Sequence, residues 1–219
     1  MPNSIISEGK TTNEAIENGL KKTIDIIAGI IGTILLIPMI CAIFVARKIN
    51  REDGSMFYVQ KRIGKDGKIF KLYKFRSMVI GADNALKKYL ESNPEAKEEY
   101  SKYKKLKNDP RITKTGAFLR KTSLDEFPQF INILKGDMSL IGPRPYLLRE
   151  KQDMGEAYNT IIKCKPGLTG LWQVSGRSDT SFKERINLDL EYYKNKNFLY
   201  DTRILISTII NVIRGNGAM

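Results

Sequence analysis

The chain of 219 residues contains no histidine and only two cysteines, Cys41 and Cys164. Without an imidazole side chain, the protein cannot use histidine as a general acid or base, or as a metal ligand. Cys41 lies within a long apolar run and Cys164 stands alone in the remainder, so the pair predicts neither a disulfide framework nor a zinc site. This cysteine usage is typical of a protein in a reducing environment that faces the cytoplasm.

Three common nucleotide-binding motifs are absent as well. The chain has no Gly-x-x-x-x-Gly-Lys phosphate loop and no Gly-x-Gly-x-x-Gly after a predicted strand, which excludes two familiar phosphate-binding turns. No two aspartates are separated by a single residue, so the Asp-x-Asp metal motif of many nucleotide-sugar glycosyltransferases is also missing. Phosphate chemistry in this chain would need another arrangement of charged groups.

Positive charge is abundant and unevenly distributed. The chain has 37 Lys and Arg against 24 Asp and Glu. Residues 1–25 hold three Lys and four acidic residues, a net charge of −1, which leaves +14 for the remainder. Such a basic region indicates an anionic partner: nucleic acid, an anionic lipid surface or a phosphorylated substrate. We expect no nucleic acid, because its binding face would alternate aromatic residues with Lys and Arg, whereas here the aromatic residues lie mostly in apolar runs.

An uncharged run over residues 26–46 predicts a membrane helix. Its 21 residues would form a helix about 31 Å long, close to the thickness of the hydrocarbon core of a bilayer. A core helix of a soluble protein is rarely apolar on every face over such a length. The chain is therefore expected to divide into an N-terminal tail (1–20), a membrane helix (21–48) and a cytoplasmic domain (49–219).

The course of this segment through the membrane is open between two arrangements. Pro38 lies in mid-segment, where it removes a backbone donor and clashes with the preceding turn. A kinked spanning helix and a re-entrant hairpin both accommodate it. The basic pairs Lys21-Lys22 and Arg47-Lys48 flank the two ends, which favours a cytoplasmic location for both.

The remainder predicts a membrane-associated α/β domain that is mostly helical. Two β-prone runs, 56–59 and 69–73, are separated by the turn sequence Gly64-Lys65-Asp66-Gly67. A lysine-rich segment over 83–107 predicts solvated helix with Asn93 as an N-cap. Further helices are predicted over 124–134, after the capping box Ser181-Phe182-Lys183-Glu184, and over 201–215, where the last would lie amphipathically on the membrane interface or pack in the core.

The segment Arg120-Lys121-Thr122-Ser123-Leu124-Asp125-Glu126 places two adjacent carboxylates just after two cations. One interpretation is structural: Ser123 and Glu126 have the spacing of a capping box, and Asp125 suits a helix N-terminus. The other is chemical, because carboxylates beside cations can hold a divalent metal ion, attack phosphorus and neutralise a phosphate within one small site. The free N–H groups of a helix N-terminus would favour the same phosphate, so both interpretations can hold together.

Longer motifs favour the chemical interpretation. The chain contains Ser-Leu-Asp-Glu-Phe-Pro-Gln at 123–129, Gly-Asp-Met-Ser-Leu-Ile-Gly-Pro-Arg-Pro at 136–145, and a glycine-punctuated block at 165–177 whose glycines suggest a loop that approaches a ligand. With the basic blocks at 60–64 and 74–78, the chain resembles the bacterial sugar transferases, also called monotopic phosphoglycosyl transferases, from Ile24 to its C-terminus.

The resemblance implies a role for each charged group. Asp125 would be the nucleophile, and Glu126 together with Asp125 would hold Mg²⁺. The remaining cations would contact phosphate of a nucleotide sugar or of a lipid, and they are Arg62, Lys74, Arg76, Arg120, Lys121, Arg144 and Arg177. Arg144 lies between two prolines of fixed φ, and its planar guanidinium suits bidentate contact with phosphate. The family also implies a re-entrant helix hinged at Pro38, although Ile37 stands where the family usually has serine.

The implied reaction transfers a hexose-1-phosphate from a UDP-sugar to undecaprenyl phosphate and releases UMP, through an aspartyl-phosphosugar intermediate. It would take place at the cytoplasmic face of the bacterial inner membrane, and it would initiate capsule, exopolysaccharide or O-antigen assembly. C-terminal blocks at 176–179, 189–192 and 215–218 resemble the branch that favours galactose or glucose. Two alternatives stay open: the same chemistry on an N-acetylated UDP-sugar, and a non-catalytic basic scaffold at the membrane. The expected partners are a UDP-sugar, undecaprenyl phosphate, membrane lipids and, in a homodimer, a second copy of the chain.

Overall fold

The computed structural model of the protein describes residues 3–176 and 180–214, with side chains from residue 15 onward. Its helices are α1 (Asn3–Ile49), α2 (Ala82–Ser92), α3 (Pro94–Tyr103), α4 (Lys114–Lys121), α5 (Gln129–Leu134), α6 (Lys151–Met154), α7 (Ala157–Ile161), α8 (Leu171–Val174), α9 (Phe182–Asn195) and α10 (Phe198–Arg214). The strands are β1 (Phe57–Ile63), β2 (Ile69–Phe75), β3 (Ser139–Ile141) and β4 (Gly167–Thr169), paired in two small sheets. The predicted, mostly helical α/β class is confirmed.

Helix α1 contains the predicted membrane segment. Among the described residues, Ala15–Ile49 is the one stretch of helix that is long and apolar enough, by length and composition, to cross a membrane. The helix begins at Asn3, so residues 3–20, predicted as a separate tail, continue the membrane helix. Pro38 lies inside this helix, which is assigned without interruption. The predicted break at Pro38 is therefore not a gap between two helices, and a bend at this residue stays a prediction.

Polar contacts fasten the N-terminal part of α1 to the domain. Lys21 forms an ion pair with Asp201 of α10, and its Nζ donates a hydrogen bond to the carbonyl oxygen of Ile141 at 2.9 Å. About one turn later, Asp25 Oδ1 accepts a hydrogen bond from the backbone N–H of Leu140 at 2.7 Å. The sequence suggested that Lys21 is a free charge at the end of the membrane segment. In the structure, Asp201 of the domain neutralises this charge.

Two glycines allow the middle of α1 to approach α5 closely. A Cβ atom at Gly29 would lie 2.7 Å from the Leu134 side chain, and one at Gly32 would lie 2.2 Å from the ring of Phe130. Both distances are shorter than any van der Waals contact, so only glycine fits at this helix crossing. The glycines of the apolar run thus serve packing against the domain.

The C-terminal half of α1 is anchored equally well. Leu36 and Ile43 are buried together with Phe75 of β2 and Leu119 of α4. The guanidinium of Arg47 is buried and donates to three backbone carbonyl oxygens, those of Asp53, Gly54 and Arg76. Helix α1 therefore contacts the domain from Lys21 to Arg47, a span of about 39 Å along its axis.

Strands β1 and β2 form the predicted hairpin, with an antiparallel register that runs from Phe57 opposite Phe75 to Ile63 opposite Ile69. The predicted turn at 64–67 connects them. Because side chains alternate between the two faces of a strand, Arg62 and Lys74 point to one face of the hairpin, and Lys61 points to the other. The hairpin thereby divides the basic residues of the two predicted blocks between a cavity and the outer surface.

The short strands β3 and β4 pair in parallel, with Ser139 opposite Gly167 and Ile141 opposite Thr169. The sequence did not predict them, since the block at 165–177 suggests a glycine-punctuated loop and no strand is predicted over 139–141. A Cβ at Gly170 would lie 2.2 Å from the carbonyl oxygen of Gly142. Gly170 thus lets two backbones meet, while an approach of the block at 165–177 to a ligand stays a prediction.

The two C-terminal helices cover this small sheet. Helix α9 opens with the predicted capping box, in which Glu184 accepts from the backbone N–H of Ser181 at 2.6 Å and the Ser181 hydroxyl accepts in return. Helix α10 buries Ile204 against the largest core cluster, which also contains Tyr192. Its opposite face exposes apolar side chains at Ile206, Ile209, Ile210 and Ile213. The helix therefore packs in the core with one side and leaves an apolar side uncovered.

The contact between α1 and α5 can be tested by comparing two helix glycines. Alanine at Gly32 or Gly19 gains the same helix propensity, about 1 kcal/mol. A Cβ at Gly19 meets no atom within 4 Å, whereas one at Gly32 clashes with Phe130. We expect Gly32→Ala to lower the free energy of unfolding by about 1–3 kcal/mol, as for other overpacked sites, and Gly19→Ala to leave it unchanged or raise it. Thermal unfolding in one detergent measures both, and equal stabilities would contradict this packing.

Candidate active site

A cavity of about 970 Å³ lies between the β1–β2 hairpin, α2 and the loop that follows β3. Nine cationic and four acidic side chains line it, so its walls carry an excess of positive charge. The cations are Arg62, Lys74, Arg76, Lys87, Lys104, Arg111, Arg120, Arg144 and Arg149. A concave site with this charge concentrates anions. Its size fits a nucleotide-sized ligand.

The acid pair lies on a 3-10 turn, Leu124–Glu126, between α4 and α5. Ser123 precedes the turn in a left-handed conformation, with φ 58°, and its side chain makes no capping hydrogen bond. The capping-box interpretation is therefore wrong. Helix α5 begins only at Gln129, so the expected helix N-terminus beside the acids is also absent. Asp125 is 8% exposed and faces the cavity.

Lys74 of β2 connects the two carboxylates. Its Nζ lies 2.5 Å from Glu126 Oε1 and 3.7 Å from Asp125 Oδ2. Burial raises the pKa of Asp125, and Lys74 offsets only part of this effect. Burial would also raise the pKa of Glu126, but Lys74 and the arginines at 144 and 62 outweigh it and hold that pKa below its ordinary value. The two neighbouring acids thus differ, with Asp125 the more basic, a separation typical of acids with different roles.

Arg62 of β1 is buried beside this pair. Its guanidinium donates to the carbonyl oxygen of Pro145 at 2.8 Å and to Gln60 Oε1 at 2.6 Å. Burial lowers the pKa of Arg62 to about 10, which still leaves the group protonated at neutral pH. Within the described part of the chain, its buried Nε has no hydrogen-bond acceptor. A buried donor without an acceptor is costly, so this part of the cavity wall is not optimised for stability alone.

Arg144 also lines this cavity and also has a buried Nε–H without an acceptor among the residues that the structure describes. Its guanidinium lies 5.5 Å from the centre of the Trp172 ring, and its Nη2 lies 4.0 Å from Glu150 Oε1. The backbone N–H of Arg144 donates to Asp189 Oδ2 at 3.1 Å. Two arginines with unused N–H groups therefore lie on the wall that carries Asp125.

The remaining predicted residues divide into three groups. Arg76 and Arg120 line the cavity; Arg76 donates to the carbonyl oxygen of Ser55 at 2.7 Å, and Arg120 donates to the Ser77 hydroxyl at 2.9 Å. Lys121 is exposed at the end of α4 and does not line the cavity. Arg177 lies outside the described residues. Of the seven predicted phosphate contacts, the structure brings five together, namely Arg62, Lys74, Arg76, Arg120 and Arg144.

Several residues of the site were not predicted from the sequence. Arg111 is buried at the cavity wall by a two-pronged contact with Asp109, at 2.7 and 2.6 Å. Nothing in Asp-Pro-Arg indicates this burial. Trp172 and Asp189, in contrast, lie within blocks that carry the family resemblance. That membership was the available signal, but it did not identify their contacts with Arg144.

The acid pair fits a magnesium ion if a bound substrate supplies further oxygen ligands. Across residues 15–176 and 180–214, no three acidic, histidine or cysteine side chains cluster as a metal site. Asp125 and Glu126 can supply two carboxylates, and Mg²⁺ in proteins commonly takes one or two carboxylates together with substrate phosphates and water. The oxygens of a bound diphosphate would have to complete the coordination.

Comparison with known proteins finds one family and several long relatives. The model of the bacterial sugar transferase family matches residues 16–215. The undecaprenyl-phosphate galactose phosphotransferase of Salmonella typhimurium is 46% identical over 199 residues, 91% of this chain and 41% of the relative. The exopolysaccharide production protein ExoY of Sinorhizobium fredii is 40% identical over 90% of this chain and 87% of the relative.

A third relative names a different sugar. The UDP-glucose:undecaprenyl-phosphate glucose-1-phosphate transferase of Escherichia coli is 37% identical over 87% of this chain and 39% of the relative. The chain thus spans about two fifths of the Salmonella and Escherichia relatives and most of the Sinorhizobium protein. The similarity covers α1 as well as the domain, since the family match begins at residue 16.

Arg120 and Lys121 provide a matched test of the cavity, because they are adjacent cations and only Arg120 lines it. We expect inorganic pyrophosphate to raise the unfolding temperature of the wild-type protein, since a ligand that binds only the folded state stabilises it. Arg120→Gln should lose most of this rise, whereas Lys121→Gln, which removes the same charge from the exposed surface, should keep it. Thermal unfolding with and without pyrophosphate measures the effect. Equal responses of the two variants would show that the cavity is not the phosphate site.

Proposed function

Because this chain belongs to the bacterial sugar transferase family, we propose that it transfers a hexose-1-phosphate from a UDP-sugar to undecaprenyl phosphate and releases UMP. One observation carries the proposal: the buried carboxylate of Asp125 faces a cationic cavity that Arg62 and Arg144 line. A nucleophile and donors for phosphoryl oxygens therefore meet in one place. The names of the Salmonella and Escherichia relatives, which include undecaprenyl phosphate, support the acceptor.

In the first step, a carboxylate oxygen of Asp125 attacks the phosphorus that bears the sugar. A phosphorus–oxygen bond forms, the bond to the bridging oxygen of the diphosphate breaks, and UMP leaves with the electron pair. In the second step, an oxygen of undecaprenyl phosphate attacks the same phosphorus and releases the Asp125 carboxylate. One carboxylate can thus serve two bulky substrates in turn, because the acyl phosphate retains the sugar phosphate between them.

The other residues prepare this carboxylate and stabilise charge. Burial raises the pKa of Asp125, which makes its carboxylate a stronger base, and Lys74 favours the ionised form that attacks phosphorus. Arg62 and Arg144 would place positive charge beside the diphosphate, where negative charge accumulates on the leaving UMP. Arg120 adds a positive charge at the same wall.

We also propose that Mg²⁺ binds with the donor substrate, held by Asp125 and Glu126. When bound, the ion would neutralise diphosphate charge and act as a Lewis acid. Glu126 suits this role better than nucleophilic attack, since its pKa is held low and it is ionised over a wider pH range. Because Lys74 contacts both carboxylates, its ammonium group would have to move aside for metal to bind.

The donor sugar is proposed to be galactose or glucose, as part of capsule or exopolysaccharide synthesis. The names of the relatives mention galactose, glucose and exopolysaccharide production. A UDP-N-acetylated sugar is the alternative donor. A panel of UDP-sugars, each supplied with undecaprenyl phosphate and Mg²⁺, distinguishes them by the rate of UMP release.

For the membrane, we propose that both ends of α1 lie on the cytoplasmic side of the inner membrane. The helix contacts the domain from Lys21 to Arg47, so a simple crossing would place the flanking domain inside the bilayer with its charges. The side of α1 that faces away from the domain exposes Ile26, Ile27, Ile30, Ile31 and Ile34, which suits insertion into one leaflet. A bend at Pro38 would complete a re-entrant course.

The nucleophile is tested by Asp125→Asn. We expect UMP release to be nearly abolished, because the amide cannot form the bond to phosphorus. Glu126→Gln should also reduce turnover strongly, but less, because Glu126 positions metal. The matched control is Asp66→Asn, on an exposed turn with φ 56°, a conformation that asparagine also adopts. Wild-type rates in Asp125→Asn would refute the assignment, and the same assay with EDTA, then with added Mg²⁺, tests the metal.

The proposed course of α1 is tested with single cysteines in a background that lacks Cys41 and Cys164. We expect Ala15→Cys and Asp53→Cys to react with a membrane-impermeant maleimide in sealed inverted vesicles, because both positions would face the outside there. Asp53→Cys also serves as the control for vesicle orientation. If Ala15→Cys reacts only after the vesicles are opened, α1 is a plain spanning helix.

A further inference from the structure

We propose that Asp189 of α9 is a positioning residue, which holds the Arg144 loop in the geometry that receives the diphosphate of the donor. The inference rests on the proposed function, because it assumes that Arg144 contacts the UDP-sugar. Asp189 itself does not line the cavity. It would act through the loop, and its removal would change how well the donor binds.

One oxygen of Asp189 holds the loop at two points. Its Oδ2 accepts the backbone N–H of Arg144 at 3.1 Å and the hydroxyl of Tyr146 at 2.7 Å. The two donors are two residues apart, so this single acceptor fixes the backbone between them. Tyr146 is itself 2% exposed and packs edge-to-face on Phe182, with ring centres 6.0 Å apart. The loop is therefore held against α9 on the side that faces away from the cavity.

Helix α9 also supports the Arg144 side chain, through Trp172. The guanidinium centres of Arg144 and Arg185 lie 5.5 and 5.2 Å from the centre of the same Trp172 ring. Arg185 is fixed in turn by a hydrogen bond to the carbonyl oxygen of Thr180, at 2.9 Å. Contacts of this kind between a cation and an aromatic face restrict the arginine to a narrow set of orientations. Asp189 thus holds the backbone of Arg144, and Trp172, which also contacts Arg185 of α9, holds its side chain.

Burying Asp189 at this position is energetically unfavourable. Asp189 is 0% exposed, and within the described residues its Oδ1 has no hydrogen-bond partner. Burial raises the pKa of Asp189 to about 7, against the opposing effects of Tyr146, Arg144 and Arg185. An acid whose pKa is raised on folding destabilises the fold increasingly as the pH rises from its unfolded value towards 7. An apolar residue would avoid this cost but would leave the buried Tyr146 hydroxyl and the Arg144 N–H without an acceptor, so the useful property of Asp189 is the acceptor that it supplies to the loop.

The experiment measures the KM for the UDP-sugar and kcat separately. We expect Asp189→Ala to raise this KM about ten-fold, as for other contacts that misplace a binding group, with a smaller effect on kcat. Tyr146→Phe removes one of the two hydrogen bonds and should raise KM by a smaller factor. Asp189→Asn keeps an acceptor oxygen without the charge and should keep KM close to the wild-type value. Asp189→Asn therefore tests the inference even if Asp189→Ala folds poorly.

The matched control is Asp201→Ala. Asp201 is also buried and also accepts from a tyrosine hydroxyl, that of Tyr192 at 2.8 Å, but it has no contact with the Arg144 loop. Its loss should lower the unfolding temperature without changing the KM of the folded fraction. If Asp189→Ala behaves in the same way, with a lower unfolding temperature and an unchanged KM, Asp189 is only structural and the inference is overturned.

Arg144→Ala separates this inference from the proposed function. If Arg144→Ala raises KM and Asp189→Ala does not, the positioning role fails while the proposed role of Arg144 stands. If Arg144→Ala leaves KM unchanged, the proposed role of Arg144 and the positioning role of Asp189 both fail. In the double variant, the loss should equal that of Arg144→Ala alone, because a residue that acts only through Arg144 has no effect once Arg144 is gone. Fully additive losses would show that Asp189 acts elsewhere.

Discussion

The ammonium group of Lys74 is the contact on which the candidate site depends. It lies between two adjacent carboxylates, one buried and one partly exposed, in a cavity where cations outnumber acids. Two carboxylates so close would repel each other and neither would ionise easily without it. The β1–β2 hairpin places this lysine and Arg62 on the same face. The alternation of side chains along paired strands is sufficient to produce this arrangement.

Around this site, the membrane helix is part of the domain. Lys21 contacts α10, and Asp25 accepts a hydrogen bond from β3. Two glycines of α1 allow α5 to pack closely, and Arg47 donates to backbone carbonyl oxygens before and after the hairpin in the chain. Strand β3 leads directly into the Arg144 loop, so the helix predicted to meet lipid and the loop proposed to meet nucleotide are joined through one short strand.

The sequence alone predicted several features of the fold and the site. The apolar run, the hairpin with its turn, the capping box of α9 and the family membership were all readable, because each depends on local composition or on a long contiguous motif. Asp125 and five of the predicted cations line one cavity, and Glu126 is joined to Asp125 through Lys74. These predictions succeeded where the chemistry of a residue type and its immediate sequence context were sufficient.

Only the tertiary structure decided which charges face inward. Lys61 and Arg62 are adjacent in sequence and lie on opposite faces of a strand, and Arg120 and Lys121 differ in the same way at the end of a helix. The capping box at Ser123 has the right spacing but the wrong backbone, because the chain enters that turn in a left-handed conformation. The partners of Arg144 come from α8 and α9, far along the chain, and of Lys21 from α10. Such contacts depend on which elements meet in space, and a sequence read locally does not contain that information.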